Sequence, residues 1–99
     1  MVEKLAQPGA TMFERNLGIY AAQGLLTEVT VLGGVHEGYP AGLDDHFLQI
    51  CTPGGELIIL NLDQVIQIKP IPAIKKMSDE AKAKTEAFRS VCKAKGLGR

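Results

Sequence analysis

The chain has 99 residues, 45% of them hydrophobic, with two tyrosines, three phenylalanines, no tryptophan and a formal net charge of zero. A chain this short makes one small domain that can build a core but buries a modest fraction of its surface, so self-association is a natural source of further stability. No apolar run approaches the roughly 20 residues of a membrane span, and residues 1–10 lack the apolar stretch of a secretion signal; the expectation is a cytoplasmic protein whose Cys51 and Cys92 stay reduced.

The zero net charge conceals a division. Residues 1–68 carry two bases against eight acids, a net −6, while residues 69–99 carry nine bases against three acids, a net +6. Polyanion binding through the body would oppose its own field, and binding through the tail would not.

Residues 1–10 read as a loose N-terminus, punctuated by Pro8-Gly9. Thr11 and Glu14 form a capping box for a helix over 12–23, stopped by Gly24 in a left-handed conformation. Phe13, Leu17 and Tyr20 fall on one face of that helix. From Leu26 the period changes to two, with Val29 and Val31 on one face and Glu28 and Thr30 on the other. Gly33-Gly34 gives a two-residue hairpin turn into a second strand over 35–42. Pro40 lacks a ladder donor, which requires an edge or a bend there, and Gly38 and Gly42 fit sharp curvature. A third strand covers about 46–52 and ends in a turn at 52–55; a fourth covers 56–61 and a fifth runs to Pro70 after a tight turn at Leu62-Asp63. Residues 71–77 form a linker. Ser78 caps a second helix over 79–94, with Lys93 and Lys95 at its end, Gly96 as its stop, and an apolar stripe of Ala81, Phe88, Val91 and Cys92.

Five short strands with frequent turns suggest a small barrel. Nothing in the pattern implies a cofactor, a metal or a catalytic constellation, so no enzyme is expected. Asp44-Asp45-His46 has metal-ligating types, but alternation lets at most Asp44 and His46 converge, and a metal needs three or four ligands. The plainer reading of Asp44 is a carboxylate that fixes a bend by accepting backbone N–H groups. Cys51 reads as a small core residue and His36 as a solvated hairpin residue. The lysines from Lys75 onward make either a solvated helix face or a nucleic-acid-binding tail.

One helix followed by five strands, with Gly38, Gly42, Asp44 and His46 between the second and third, resembles the Sm/LSm family, including bacterial Hfq, over about residues 11–70. Phe47 stands where that first motif commonly has Met. In the second motif Asp63, Val65 and Ile68 match. The resemblance implies a mainly β fold, a small five-stranded Sm-like open barrel of the SH3-like or OB-like kind, with an N-terminal helix and, in this chain, an added basic C-terminal helix over 78–99. It also implies a homo-oligomeric ring of about six or seven subunits, closed head to tail by pairing the fourth strand of one copy with the fifth of the next. The apolar runs 57–60 and 65–68 fit such burial. The implied activity is binding of single-stranded RNA without catalysis. His46 would stack on a base, Gln49 and Asn61 would donate or accept hydrogen bonds, Asp44 and Asp63 would complete the pocket, and Lys75 and Lys76 would begin an electrostatic arm.

The sequence departs from that family in a shorter hairpin after the first strand, in Pro40 for an aliphatic residue, and at three positions of the RNA motifs. Leu48 stands for the base-contacting Asn, Asn61 for the stacking Arg and Leu62 for the Gly. These departures favour the alternative of an Sm-fold oligomer that has lost RNA recognition and serves as an assembly or protein-interaction module. His46 and the basic tail favour RNA.

Overall fold

The structure is a computed structural model that describes residues 12–72 and 76–97. Helix α1 (Met12–Gln23) leads into strands β1 (Thr27–Val31), β2 (Gly34–Leu43), β3 (Phe47–Cys51) and β4 (Leu57–Asn61). A 3₁₀ turn (Leu62–Gln64), strand β5 (Val65–Pro70) and helix α2 (Asp79–Ala94) follow. All strand pairings are antiparallel, in the order β4-β3-β2-β1-β5. The protein is thus mainly β, with one helix before the sheet and one after it. The sheet is not closed, and β4 and β5 are its two edges.

Both helices stop as their glycines dictate. Gly24 (φ 68°) donates to the Ala21 carbonyl while Leu25 donates to Tyr20, and Gly96 (φ 80°) donates to Lys93 while Leu97 donates to Cys92. Each is a paired closure of the last helical turn that a left-handed residue makes possible. Ser78 starts α2, its Oγ accepting from Ala81 N–H at 3.1 Å. The expected capping box depends on Thr11, which lies outside the described residues.

The long strand β2 serves two half-sheets. Residues up to Gly38 pair with β1, and from Tyr39 onward the strand pairs with β3, with a register shift between Pro40 and Gly42. Pro40 is therefore on a central strand, but at the bend, where pairing with β1 has ended and no N–H is required of it. The hairpin loop falls one residue earlier than expected. Leu32 and Gly33 form the two-residue loop, and Gly34 already pairs with Val31, taking the positive φ itself (153°). No L-residue among those described has a positive φ, which rules out the left-handed turn that a Leu at the first loop position would otherwise have to adopt.

The bend folds the half-sheets over one core. Val29 and Val31 of β1 meet Leu43, Leu48, Ile50 and Leu60 from the other half, with Leu17, Ala21 and Ala22 of α1 and Phe88 and Cys92 of α2. Two sequence-expected faces are corrected here. On α1 the buried line is Glu14, Leu17, Gly18, Ala21 and Ala22, whereas Phe13 and Tyr20 are half-buried. The reason is that α1 packs against α2 as well as the sheet, and small side chains allow the second helix to approach. On α2 the buried stripe is Ala81, Thr85, Phe88 and Cys92, and Val91 is exposed. Thr85 tolerates burial because its Oγ1 donates to the Ala81 carbonyl at 2.9 Å.

Cys51 and Cys92 are both buried thiols with no disulfide between them. Burial pushes Cys92 up to about 11. No helix among the described residues is long and apolar enough to cross a membrane.

Two consequences are measurable. Phe88→Ala should cost about 3–5 kcal/mol of unfolding free energy in urea titration, as expected for a buried aromatic; a loss under 1 kcal/mol would mean that α2 does not share the core. The second concerns alkaline pH. The unfolded Cys92 thiol, at 9.0, ionises before the folded one, so unfolding is favoured as pH rises from 9 to 11. Stability curves of the wild type and Cys92→Ala should therefore converge over that window, and parallel curves would show that the folded thiol is not held neutral.

Candidate nucleic-acid interface

The stretch between β2 and β3 is organised by one carboxylate. Asp44 Oδ1 accepts from the backbone N–H groups of both His46 and Phe47 at 2.7 Å, and Asp44 N–H donates to the Phe47 carbonyl at 3.0 Å. These bonds stabilise the ionised form, the one from His46 most, and hold the carboxyl below its ordinary value of 3.8. Asp44 thus takes the structural role expected of it. With its backbone fixed, His46 is left with an exposed side chain. The Phe47 ring lies beside it, edge to face, with centroids 6.3 Å apart at 69°, and is 43% exposed.

A second turn meets this one. Phe47 pairs with Asn61 at the end of β4, and Leu62 N–H donates to the His46 carbonyl at 2.9 Å. Asn61 Oδ1 accepts from Asp63 N–H at 3.0 Å and so caps the 3₁₀ turn. Its amide NH₂ is the part left for a ligand. Strand alternation puts Phe47, Gln49, Ile59 and Asn61 on one face through the pairs Phe47–Asn61 and Gln49–Ile59. Gln49 is half-buried there, lying over Gly42; a Cβ at that glycine would come within 3.4 Å of the Gln49 amide.

His46, Asp44, Asn61, Asp63 and Gln49 are therefore brought together around the junction of two turns. Leu48 points the other way and is fully buried in the core, so it offers nothing to a ligand. Lys76 is not part of the group. It borders a hollow with Pro53 and Gly54, where Ser78 N–H donates to the Pro53 carbonyl at 2.9 Å. That turn is at the opposite end of β3, roughly 20 Å away along an extended chain. Lys75 lies outside the described residues.

The junction is acidic. Asp44, Asp45 and Asp63 are its charged side chains, and neither 44–47 nor 61–64 contains a Lys or Arg. It presents flat rings and amide groups rather than cations. Among the described residues no group of three His, Cys, Asp or Glu is arranged to hold a metal ion.

Sequence reading missed Phe47 as an exposed aromatic at the site. The signal was available: with Leu48 and Ile50 inward, alternation turns Phe47 and Gln49 outward. It also missed Lys84, whose Nζ donates to the Gly55 carbonyl at 2.8 Å and pairs with Glu80 at 3.1 Å, tying α2 to the β3–β4 turn.

No protein-family model matches this chain, and no curated protein matches it either.

The Asp44 geometry fixes a pH dependence. Because the folded carboxyl is depressed, its stabilisation is complete above 3.8 and is lost as pH falls through the folded value. Thermal melts should show Asp44→Ala lowering the melting temperature at neutral pH, and Asp44→Asn flattening the acid limb. His46→Ala, which removes only an exposed side chain, should melt like the wild type. An unchanged Asp44→Ala melt would refute the turn-fixing role.

Proposed function

We propose that this protein is an Sm-like ring-forming subunit that binds single-stranded RNA without catalysis, by stacking bases on His46 and Phe47. The observation that carries this reading is the junction itself. Two exposed aromatic rings sit where the β2–β3 and 3₁₀ turns are joined by the Leu62–His46 hydrogen bond, the same two segments in which the Sm resemblance places its RNA contacts. Stacking needs only a π-face and tolerates the missing polar groups at the cost of base specificity. Gln49 and the Asn61 NH₂ remain as hydrogen-bonding groups on the same face.

Ring assembly is supported by the open edges. On β4, Leu57 and Ile59 are exposed, and on β5 Ile66 is 63% exposed. Pairing β4 of one copy with β5 of the next would satisfy both edges and cover these side chains.

A second reading, an Sm-fold oligomer acting as a protein-interaction module, draws on specific features: Leu48 is buried in the core, Asn61 Oδ1 is committed to Asp63, and three carboxylates border the junction.

Light scattering should give a mass several times the 10.6 kDa chain. Ile59→Lys, at a side chain 59% exposed in the subunit, should reduce that mass without unfolding the domain. A wild-type monomer at micromolar concentration would sink the ring. In fluorescence anisotropy with uridine-rich and adenine-rich RNA, His46→Ala should lose about 1–3 kcal/mol of affinity per stacked base. An intact ring whose RNA affinity is indifferent to His46→Ala and Phe47→Ala would favour the interaction module.

A further inference from the structure

We infer that the outer face of α2 is a phosphate-binding track for single-stranded RNA, separate from the base-stacking junction; the inference rests on the RNA-binding reading above. Lys82, Glu86, Arg89, Ser90 and Lys93 recur at helical spacing along one exposed side of α2 and, with Met77 as an apolar wall, line a shallow groove of about 280 Å³. From Lys82 to Lys93 the helix rises about 16 Å, enough for a run of phosphates rather than one.

The charges in this groove are left over from folding. Lys84 is engaged by Gly55 and Glu80, and Lys69 lies 3.7 Å from Glu28. Among the described residues, Lys82, Arg89 and Lys93 have no ion-pair partner. Three cations against Glu86 leave the groove a net +2. The Arg89 guanidinium lies beside Gly24 at the C-terminal end of α1, where a Cβ on that glycine would come within 3.4 Å of Cζ. A cation beside a helix C-terminus is favourably placed. Ser90 adds a hydroxyl donor.

An RNA strand presents both bases and phosphates. The junction around His46 offers rings, amides and carboxylates but no cation, and is therefore suited to bases and repels phosphates. The groove offers unneutralised cations, including an Arg whose planar fork matches a phosphate, and no aromatic ring. None of the junction residues borders the groove. Charge complementarity thus selects the nucleic-acid backbone as the occupant, with base contacts made elsewhere on the molecule.

The helix cannot be deleted to test this, because Ala81, Phe88 and Cys92 are in the core. Surface substitutions serve instead. The full chain carrying Lys82→Gln, Arg89→Gln and Lys93→Gln together should stay folded, its melting temperature lowered only slightly by the lost helix-end charges. In anisotropy titrations with single-stranded RNA over a range of salt, its slope of log affinity against log salt should be shallower by about 2, near 0.7 for each lost contact. Glu86→Gln should bind more tightly than the wild type, and inorganic polyphosphate, which has phosphates without bases, should compete with RNA on the wild type and lose that competition on the triple variant. His46→Ala should keep the wild-type slope while binding more weakly. An unchanged slope in the triple variant, or no RNA binding by the wild type, overturns the track. So does a triple variant whose main effect is a fall in mass by light scattering, which would make the groove a contact between copies. If His46→Ala is silent while the triple variant loses affinity, stacking fails and the track stands.

Discussion

The bend of β2 is the constraint on which the rest of the molecule depends. One ten-residue strand must pair with β1 through Gly38 and with β3 from Tyr39, and an L-side chain at Gly38 would sit 3.0 Å from the Cys51 carbonyl and 3.1 Å from Ile50 Cβ. Glycine there lets the backbones of β2 and β3 approach. Pro40 follows where no ladder donor is needed, and the bulge at 40–42 strengthens the twist. Because β2 turns, the inward residues of β3 and β4 face those of β1, and five short strands enclose a core that a flat sheet of this size could not. The outer side of the bent segment, where Tyr39 and Cys51 are buried, then needs a cover, and α2 provides it.

The same geometry separates the chemistry. The turn after β2 and the turn after β4 end up side by side, which gathers His46, Phe47, Asn61 and Asp63 with no cation. The C-terminal helix carries the positive charge and is docked against α1 and β2, so the basic segment is a fixed surface rather than a loose arm. Among the described residues Lys82, Arg89 and Lys93 of that helix have no ion-pair partner. A chain with zero net charge can therefore present two local surfaces of opposite character.

How much of this could be read from sequence follows from how local each determinant is. Helix ends were legible because Gly24, Ser78 and Gly96 act on backbone groups within a few residues. The role of Asp44 was legible for the same reason: a side chain two residues before an N–H competes for it locally. The bend at Pro40 was partly legible, since a proline without a donor has few places to go. Buried faces were less so. Periodicity places Val91 and Cys92 on adjacent positions of α2 but does not say where the neighbouring helix lies, and in the packed molecule α2 buries Thr85 and leaves Val91 outside. The hairpin shifted by one residue because either glycine of Gly33-Gly34 satisfies the pattern, and only pairing with Val31 decides. The cluster of site residues was legible through motif spacing, whereas the placement of Lys76 at the far end of β3 depends on where the linker crosses, which no local signal records.

What remains is the state of the two edges, and there the sequence of β4 matters more than its exposure. Natural edge strands are blunted by Lys, Pro, bulges or inward charges. Strand β4 reads Leu-Ile-Ile-Leu-Asn, with none of these within its bounds. Strand β5 has a bulge opposite Thr30/Val31 and ends in Lys69-Pro70, so its protection is confined to its two ends. The bulged residue is Ile66, which is itself exposed, and only Gln67 and Ile68 lie between it and Lys69. Among the described residues each of these two edges lacks a partner strand, and each exposes an isoleucine, Ile59 on β4 and Ile66 on β5. Pairing like with like would use one edge and leave the other bare. Pairing β4 with β5 uses both on every copy, and repeats until the ring closes or a filament grows. In the proposed ring the twist of the sheet would fix the rotation from one copy to the next, so the curvature set by Gly38 and Pro40 within the subunit would also determine whether that repeat could close.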